Sequence, residues 1–235
     1  MKNIVLNIPH ASINGIFNPV YGKWVYNQHF VDDCVNRWTD WYTDFLFYGL
    51  TRCEGVKTFV FPYSRFVCDV ERLEDDSLNE LGQGIMYQDF DHYKREELSE
   101  YAKRIIKKMW LNHQEDLKIA LNKDSVLIDC HSFPSDIFDC DICIGHNDDW
   151  SYNKKIVDGV IKIFEDRGYN VSVNKPYSNS IAPKTDFVYS SFMIEVNKRV
   201  YLNERILQLE RDNKKWIRWD ATLKNIHAFL TETKK

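Results

Sequence analysis

Read from its N-terminus, the chain alternates compact apolar runs with longer stretches of helical spacing. Residues 3–9 form a short apolar run closed by Pro9 and predict a strand. Phe30, Val31, Cys34, Trp38, Trp41, Phe45 and Leu46 then recur at helical spacing and predict a helix over residues 29–50. Residues 56–61 and 66–70 read as strands. The acidic stretch 73–92, with Gly82-Gln-Gly84 inside it, reads as a long loop. Residues 93–122 carry Lys and Arg on one side and Tyr101, Ile105, Ile106, Met109 and Trp110 on the other, which predicts an amphipathic helix. The run Ser125-Val-Leu-Ile-Asp-Cys130 suits a buried parallel strand, and residues 141–145 form another. Residues 151–167 predict a helix stopped at Gly168, 170–174 and 192–196 predict strands, and 204–230 a charged C-terminal helix that a break could interrupt. Strands alternating with helices predict an α/β fold with a mostly parallel or mixed central sheet covered by helices on both faces. No repeat or linker divides the chain, so a single domain over residues 1–235 is expected. In such sheets ligands bind beyond the carboxyl ends of the strands, so chemistry is sought there.

Composition narrows the partners. The 235 residues are 44% hydrophobic and 28% charged, with a net charge of −4 and a pI near 6.0, which is ordinary globular material and not a nucleic-acid binder. No apolar run approaches the roughly 20 residues of a membrane span, and the N-terminus lacks a signal-like segment. A cytoplasmic protein is therefore expected, with its six cysteines reduced.

Several polar side chains sit where the predicted strands end. His10 follows the first strand, Asp129 and His131 close the 125–130 run, and Glu195 lies in the apolar Met193-Ile-Glu-Val196. Imidazole is the commonest metal ligand, and an open catalytic zinc site takes three protein ligands and water. His10 and His131 with a carboxylate from the first helix would make such a set. Asp40 and Asp44, four residues apart, would share a helical face and are the candidates. Asp129 points to the same side of its strand as His131 and would orient it. Glu195 is either a general base activating water or a structural ion-pair partner of Lys198 or Arg199. Arg65 and Arg72 suit substrate carboxylates, or else pair with the acidic stretch Glu71, Glu74, Asp75 and Asp76. Cys140-Asp-Ile-Cys143 overlaps a strand and has no second pair, so it reads as structural. No Gly-x-Ser-x-Gly elbow supports a serine hydrolase.

Taken together, Ile8-Pro-His-Ala-Ser12, Thr39-Asp-Trp-Tyr-Thr-Asp44, Ser64-Arg-Phe-Val-Cys-Asp-Val-Glu-Arg72, Gly82-Gln-Gly-Ile-Met-Tyr87, Asp129-Cys-His-Ser132, Asn174-Lys-Pro-Tyr177 and Ile194-Glu-Val-Asn197 resemble the N-formylglutamate amidohydrolase family in order and content. The resemblance implies a zinc-carboxypeptidase-like (phosphorylase/hydrolase-like) fold. It also implies one Zn2+ per chain, held by His10 and His131, and hydrolysis of the amide of a small N-acyl amino acid such as N-formylglutamate. Glu195 would be the base and proton shuttle, and Arg65 and Arg72 would grip substrate carboxylates. Related zinc acylases carry a Glu three residues after the first His. Here that position is Ile13, so Asp44 or Asp40 is the expected third ligand. Many family members have Asn before the second Arg; this chain has Glu71, a carboxylate that disfavours a second substrate carboxylate nearby. The alternatives are a zinc peptidase or deacylase acting on a peptide or cell-wall fragment, and a non-catalytic ligand-binding homologue.

Overall fold

The computed structural model describes residues 3–24 and 28–233. The chain divides into two compact units. The first is drawn from residues up to 8, from 42–59 and from 117 onward; the second from 9–41 and 60–116.

The first unit is built on a six-stranded sheet: β1 (Asn3–Ile8), β2 (Val56–Val60), β3 (Ser125–Phe133), β4 (Ile142–Gly145), β5 (Val171–Val173) and β6 (Ser190–Asn197), in the order β2-β1-β3-β6-β4-β5. β1, β3 and β6 are parallel; β4 runs antiparallel to β6, and β5 parallel to β4. The sheet is therefore mostly parallel and mixed, as the alternation of elements predicts. β3 is buried along its whole length, and β1 and β6 from their second residues onward, so both faces of the central strands are covered. On the face of Val5 and Leu127, the end of α1 (Glu100–Ala120) contributes Leu117 and Ala120 to a cluster closed by Ile181 and Tyr189. The helix α2 (Lys154–Asp166) packs on β4 and β5 and against α3 (Asn213–Glu232). α2 starts where Asn153 accepts from the Ile156 amide. It stops as Gly168 takes φ +76°, which a residue without Cβ adopts freely.

The second unit has its own core of Trp24, Phe30, Phe66, Tyr87 and Tyr93, with aromatic rings meeting edge-on or stacked, and Ile106 and Trp110 of α1 closing it.

Four elements differ from the sequence pattern. The helix expected over 29–50 is broken. Short helical pieces end at Trp38, Thr39 turns extended, Tyr42 takes φ +60°, and helices resume at Thr43–Leu46 and Tyr48–Thr51. The break has a long-range cause: the Asp40 amide donates to the His10 carbonyl (3.0 Å) instead of to its own helix. Residues 66–70 form no strand, because the Ser64 carbonyl accepts from the amides of Val67 and Cys68 (2.9 and 3.1 Å) and winds the chain into a turn. The loop 73–92 holds a short helix, Ser77–Leu81, and the first strand of a hairpin, Asp89–Phe90 with Tyr93–Lys94. The C-terminal pattern 204–230 resolves into a hairpin, Leu202–Asn203 with Gln208–Leu209, followed by α3.

Gly145 closes β4 against backbone: a Cβ there would lie 2.6 Å from the Asn179 carbonyl and against Met193, its register partner on β6. Gly145→Ala is expected to lower stability by about 1–3 kcal/mol, the usual cost of overpacking, in thermal or urea unfolding. An unchanged midpoint would show that the 178–180 backbone yields without cost.

Candidate active site

In the second unit the polar residues converge on one buried carboxylate. The turn at Ser64 places Arg65, Asp69 and Arg72 at spacings of four and three, so the two guanidiniums reach the same Asp69 oxygen. Arg65 Nη2 donates to Asp69 Oδ2 (3.1 Å), Tyr87 Oη donates to the same oxygen (2.6 Å), and Arg72 Nε lies 3.6 Å from it. The other carboxylate oxygen, Oδ1, accepts from His10 Nε2 at 2.9 Å and from the Glu71 amide at 3.1 Å. The loop is clamped by α1: Gln114 donates to the Val70 carbonyl (2.6 Å) and Trp110 to that of Arg72 (2.8 Å). Arg95 holds the Tyr87 carbonyl (3.1 Å).

This array fixes protons as well as atoms. Burial alone would raise the Asp69 carboxyl, but His10, Arg65 and Arg72 outweigh it and hold it well below the usual carboxylate range. Burial disfavours the charged form of Arg65, yet Tyr87, Asp69, Asp40 and Glu71 keep that guanidinium firmly protonated. Burial pushes the Tyr87 phenol up to about 12. An ionised carboxylate can only accept, so the Nε2 that it binds on His10 carries hydrogen, and Nδ1 is the nitrogen left to ligate a metal. Nδ1 lies 3.8 Å from Asp40 Oδ2 and 3.6 Å from Glu71 Oε2. An imidazole lone pair facing two carboxylate oxygens is the donor set of a divalent-cation site. His10, Asp69 and Glu71 each offer a ligand atom within 4.8 Å of the others.

In the first unit the parallel register aligns a second polar set. Asn7 pairs with Asp129, and His131 with Glu195, so these four share one face across β1, β3 and β6. Asp129 accepts from Asn7 Nδ2 (2.8 Å) and from the Ile181 amide (3.0 Å), and its Oδ1 lies 3.2 Å from His131 Nε2. Asp129 and His131 point to the same side of β3, as strand alternation requires. Glu195 is 7% exposed. Arg199, a candidate partner for it, is engaged by Asp139 and Asp141 instead.

Other expectations are corrected or refined. Asp40 and Asp44 do not share a helical face: Asp40 is buried beside His10, whereas Asp44 is exposed on Thr43–Leu46. Asp44 belongs to no metal-capable group among the described residues. Arg65 and Arg72 do pair with carboxylates of their own loop, chiefly Asp69, with Asp76 3.8 Å from Arg72. The six cysteines are free thiols, and burial pushes Cys140 to about 11 and Cys143 to about 12, so the CxxC is inert packing. Sequence reasoning missed roles for Asp69, Tyr87 and Asn7. For Asp69 the signal was present in the charge spacing of Ser64–Arg72; for Tyr87 and Asn7 it lies only in three dimensions.

The first unit is thus an α/β domain with a mostly parallel, mixed central sheet whose buried strands carry Asp129, His131 and Glu195. Residues 3–202 match the family model described as N-formylglutamate amidohydrolase, and the chain belongs to that family. No curated protein matches it. The fold is similar to that of an N-formylglutamate amidohydrolase from Ralstonia eutropha (17% identity, 98% of this chain and 93% of that one covered, TM-score 0.77). It is also similar to that of a gene product from Agrobacterium tumefaciens (16%, 98% and 90%, TM-score 0.66).

Two outcomes test the array. Asp69→Ala strands Arg65 and frees the His10 ring, so stability is expected to fall by about 3 kcal/mol and divalent-metal affinity by about 10–100-fold, in urea unfolding and chelator competition. His113, on α1, is depressed to about 4 by burial, with His10 adding to it against the opposing pull of Asp116 and Glu71. Its folded value lies below the unfolded one near 6.5, so the stability it contributes is complete above about pH 6.5 and drains away as pH falls towards 4. His113→Gln is expected to flatten the stability–pH slope in that window by up to about 1.4 kcal/mol per pH unit. An unchanged slope would assign the titration elsewhere.

Proposed function

We propose that the chain is a metal-dependent amidohydrolase cleaving the amide of a small N-acyl amino acid. The observation that carries this reading is the hydrogen bond from His10 Nε2 to buried Asp69, which leaves Nδ1 of that ring as the ligand atom beside Asp40. His10, His131 and Asp40 are the proposed ligands, Asp40 being favoured as the buried one of the two carboxylates near His10 Nδ1, 4% exposed against 19% for Glu71. A zinc ion held there would polarise the acyl carbonyl and lower the pKa of an attacking water towards about 7.

The protein's own groups do the rest. Glu195, buried on an apolar strand, accepts a proton from the attacking water and delivers it to the departing nitrogen. Arg65 and Arg72, 15% and 23% exposed at their side chains, turn their remaining N–H groups to a substrate carboxylate while Asp69 holds them in place. Asp69 keeps the His10 imidazole in the ligating tautomer. No described helix is long and apolar enough to cross a membrane. We take the enzyme to be cytoplasmic and its partner to be a small molecule.

Metal analysis of freshly purified protein is expected to give about one divalent ion per chain. His10→Ala and His131→Ala should each strip it, and Glu195→Gln should keep the metal while losing about 10²–10⁴-fold in kcat. Normal turnover by Glu195→Gln, or full metal retention in both histidine variants, would overturn this assignment.

A further inference from the structure

We propose that Glu71 sets the substrate class of this hydrolase: the retained end of the amide is a zwitterionic amino acid, its ammonium read by Glu71 and its carboxylate by Arg72 and Arg65. This deepens the function proposed above and rests on it.

The argument begins with exposure. Asp69 and His10 are closed off, whereas Glu71 and Arg72 above them remain 19% and 23% exposed at their side chains. They are consecutive residues of opposite charge, so whatever reaches the arginines from solvent also meets a carboxylate. Charge balance points the same way. Asp40, Asp69, Glu71 and Asp76 set four carboxylates against the guanidiniums of Arg65 and Arg72, Asp69 engaging both and Asp76 lying 3.8 Å from Arg72. With His10 neutral the array carries two net negative charges, and with a divalent cation on His10 none. A dianion such as N-formylglutamate would bring two negative charges to that balanced array. Glu71 Oε2, 3.6 Å from His10 Nδ1, would also stand among them. A zwitterion brings no net charge, gives Glu71 an N–H donor and gives the arginines their carboxylate. An amide that leaves both α-groups free is one formed on the side-chain amine of a diamino acid. Water adds its hydroxyl to the acyl carbon and a proton to that nitrogen, releasing the acid and the free diamino acid.

The experiment compares Nε-formyl-lysine with N-formylglutamate on the metal-replete full chain and on Glu71→Asn. The native protein is expected to favour the lysine derivative in kcat/KM by at least tenfold. Glu71→Asn should reverse or erase that ratio while retaining its metal. A native preference for N-formylglutamate, or a ratio unmoved by Glu71→Asn, overturns the proposal. So does metal loss in the variant, which would make Glu71 a ligand. If neither amide is cleaved, the hydrolase reading fails, and calorimetric titration still decides this one. Lysine must then bind the native chain at least tenfold more tightly than N-formylglutamate does, and lose that advantage in Glu71→Asn; equal binding overturns it.

Discussion

The second unit depends on one buried negative charge. Removing a carboxylate from water is costly unless donors surround it, and Asp69 collects His10, Arg65, Tyr87, Arg72 and a backbone amide. Of these donors, His10 is itself a candidate metal ligand, and Arg65 and Arg72 are candidates for contact with substrate. The charge therefore does two jobs: it pins a turn that apolar packing alone would leave loose, and it orients the groups that chemistry requires. The aromatic core beneath, with Phe66 meeting Trp24 and Tyr87 edge-on, gives that turn a rigid floor.

The first unit solves the same problem with sheet geometry. Parallel pairing puts Asn7, Asp129, His131 and Glu195 in register on one face, and Asn7 with the Ile181 amide satisfies Asp129 in place of arginines. Polar residues on strands this buried survive because each oxygen of Asp129 has a donor. The antiparallel return of β4 beside β6 brings Cys143 opposite Glu195, an apolar neighbour that helps keep water from that carboxylate.

Much of this was legible in the sequence, for physical reasons. Runs such as those of β1 and β3 are apolar on both faces, so their strands and the α/β class followed directly; His10 does lie just past β1, but β3 and β6 run on to Phe133 and Asn197, so Asp129, His131 and Glu195 sit within strands. The helix over 29–50 misled because its apolar spacing is real while its continuity is decided by a single long-range hydrogen bond, Asp40 amide to His10 carbonyl. Asp44 fell with it. The stretch 66–70 has strand-like composition, yet Ser64 competes for its amides, a contest that apolar spacing does not register. Tyr87 and Asn7 carry no local mark of their roles, since their partners lie far along the chain.

Tyr87 has a further consequence. Its phenol is held protonated to about 12, Asp69 is held ionised far into acid, and the guanidiniums never discharge under ordinary conditions. This quartet is therefore an electrostatic fixture that does not titrate between mildly acidic and strongly alkaline solution. Any bell-shaped dependence of turnover on acidity must originate in other groups, and the quartet supplies a constant background field against which they titrate.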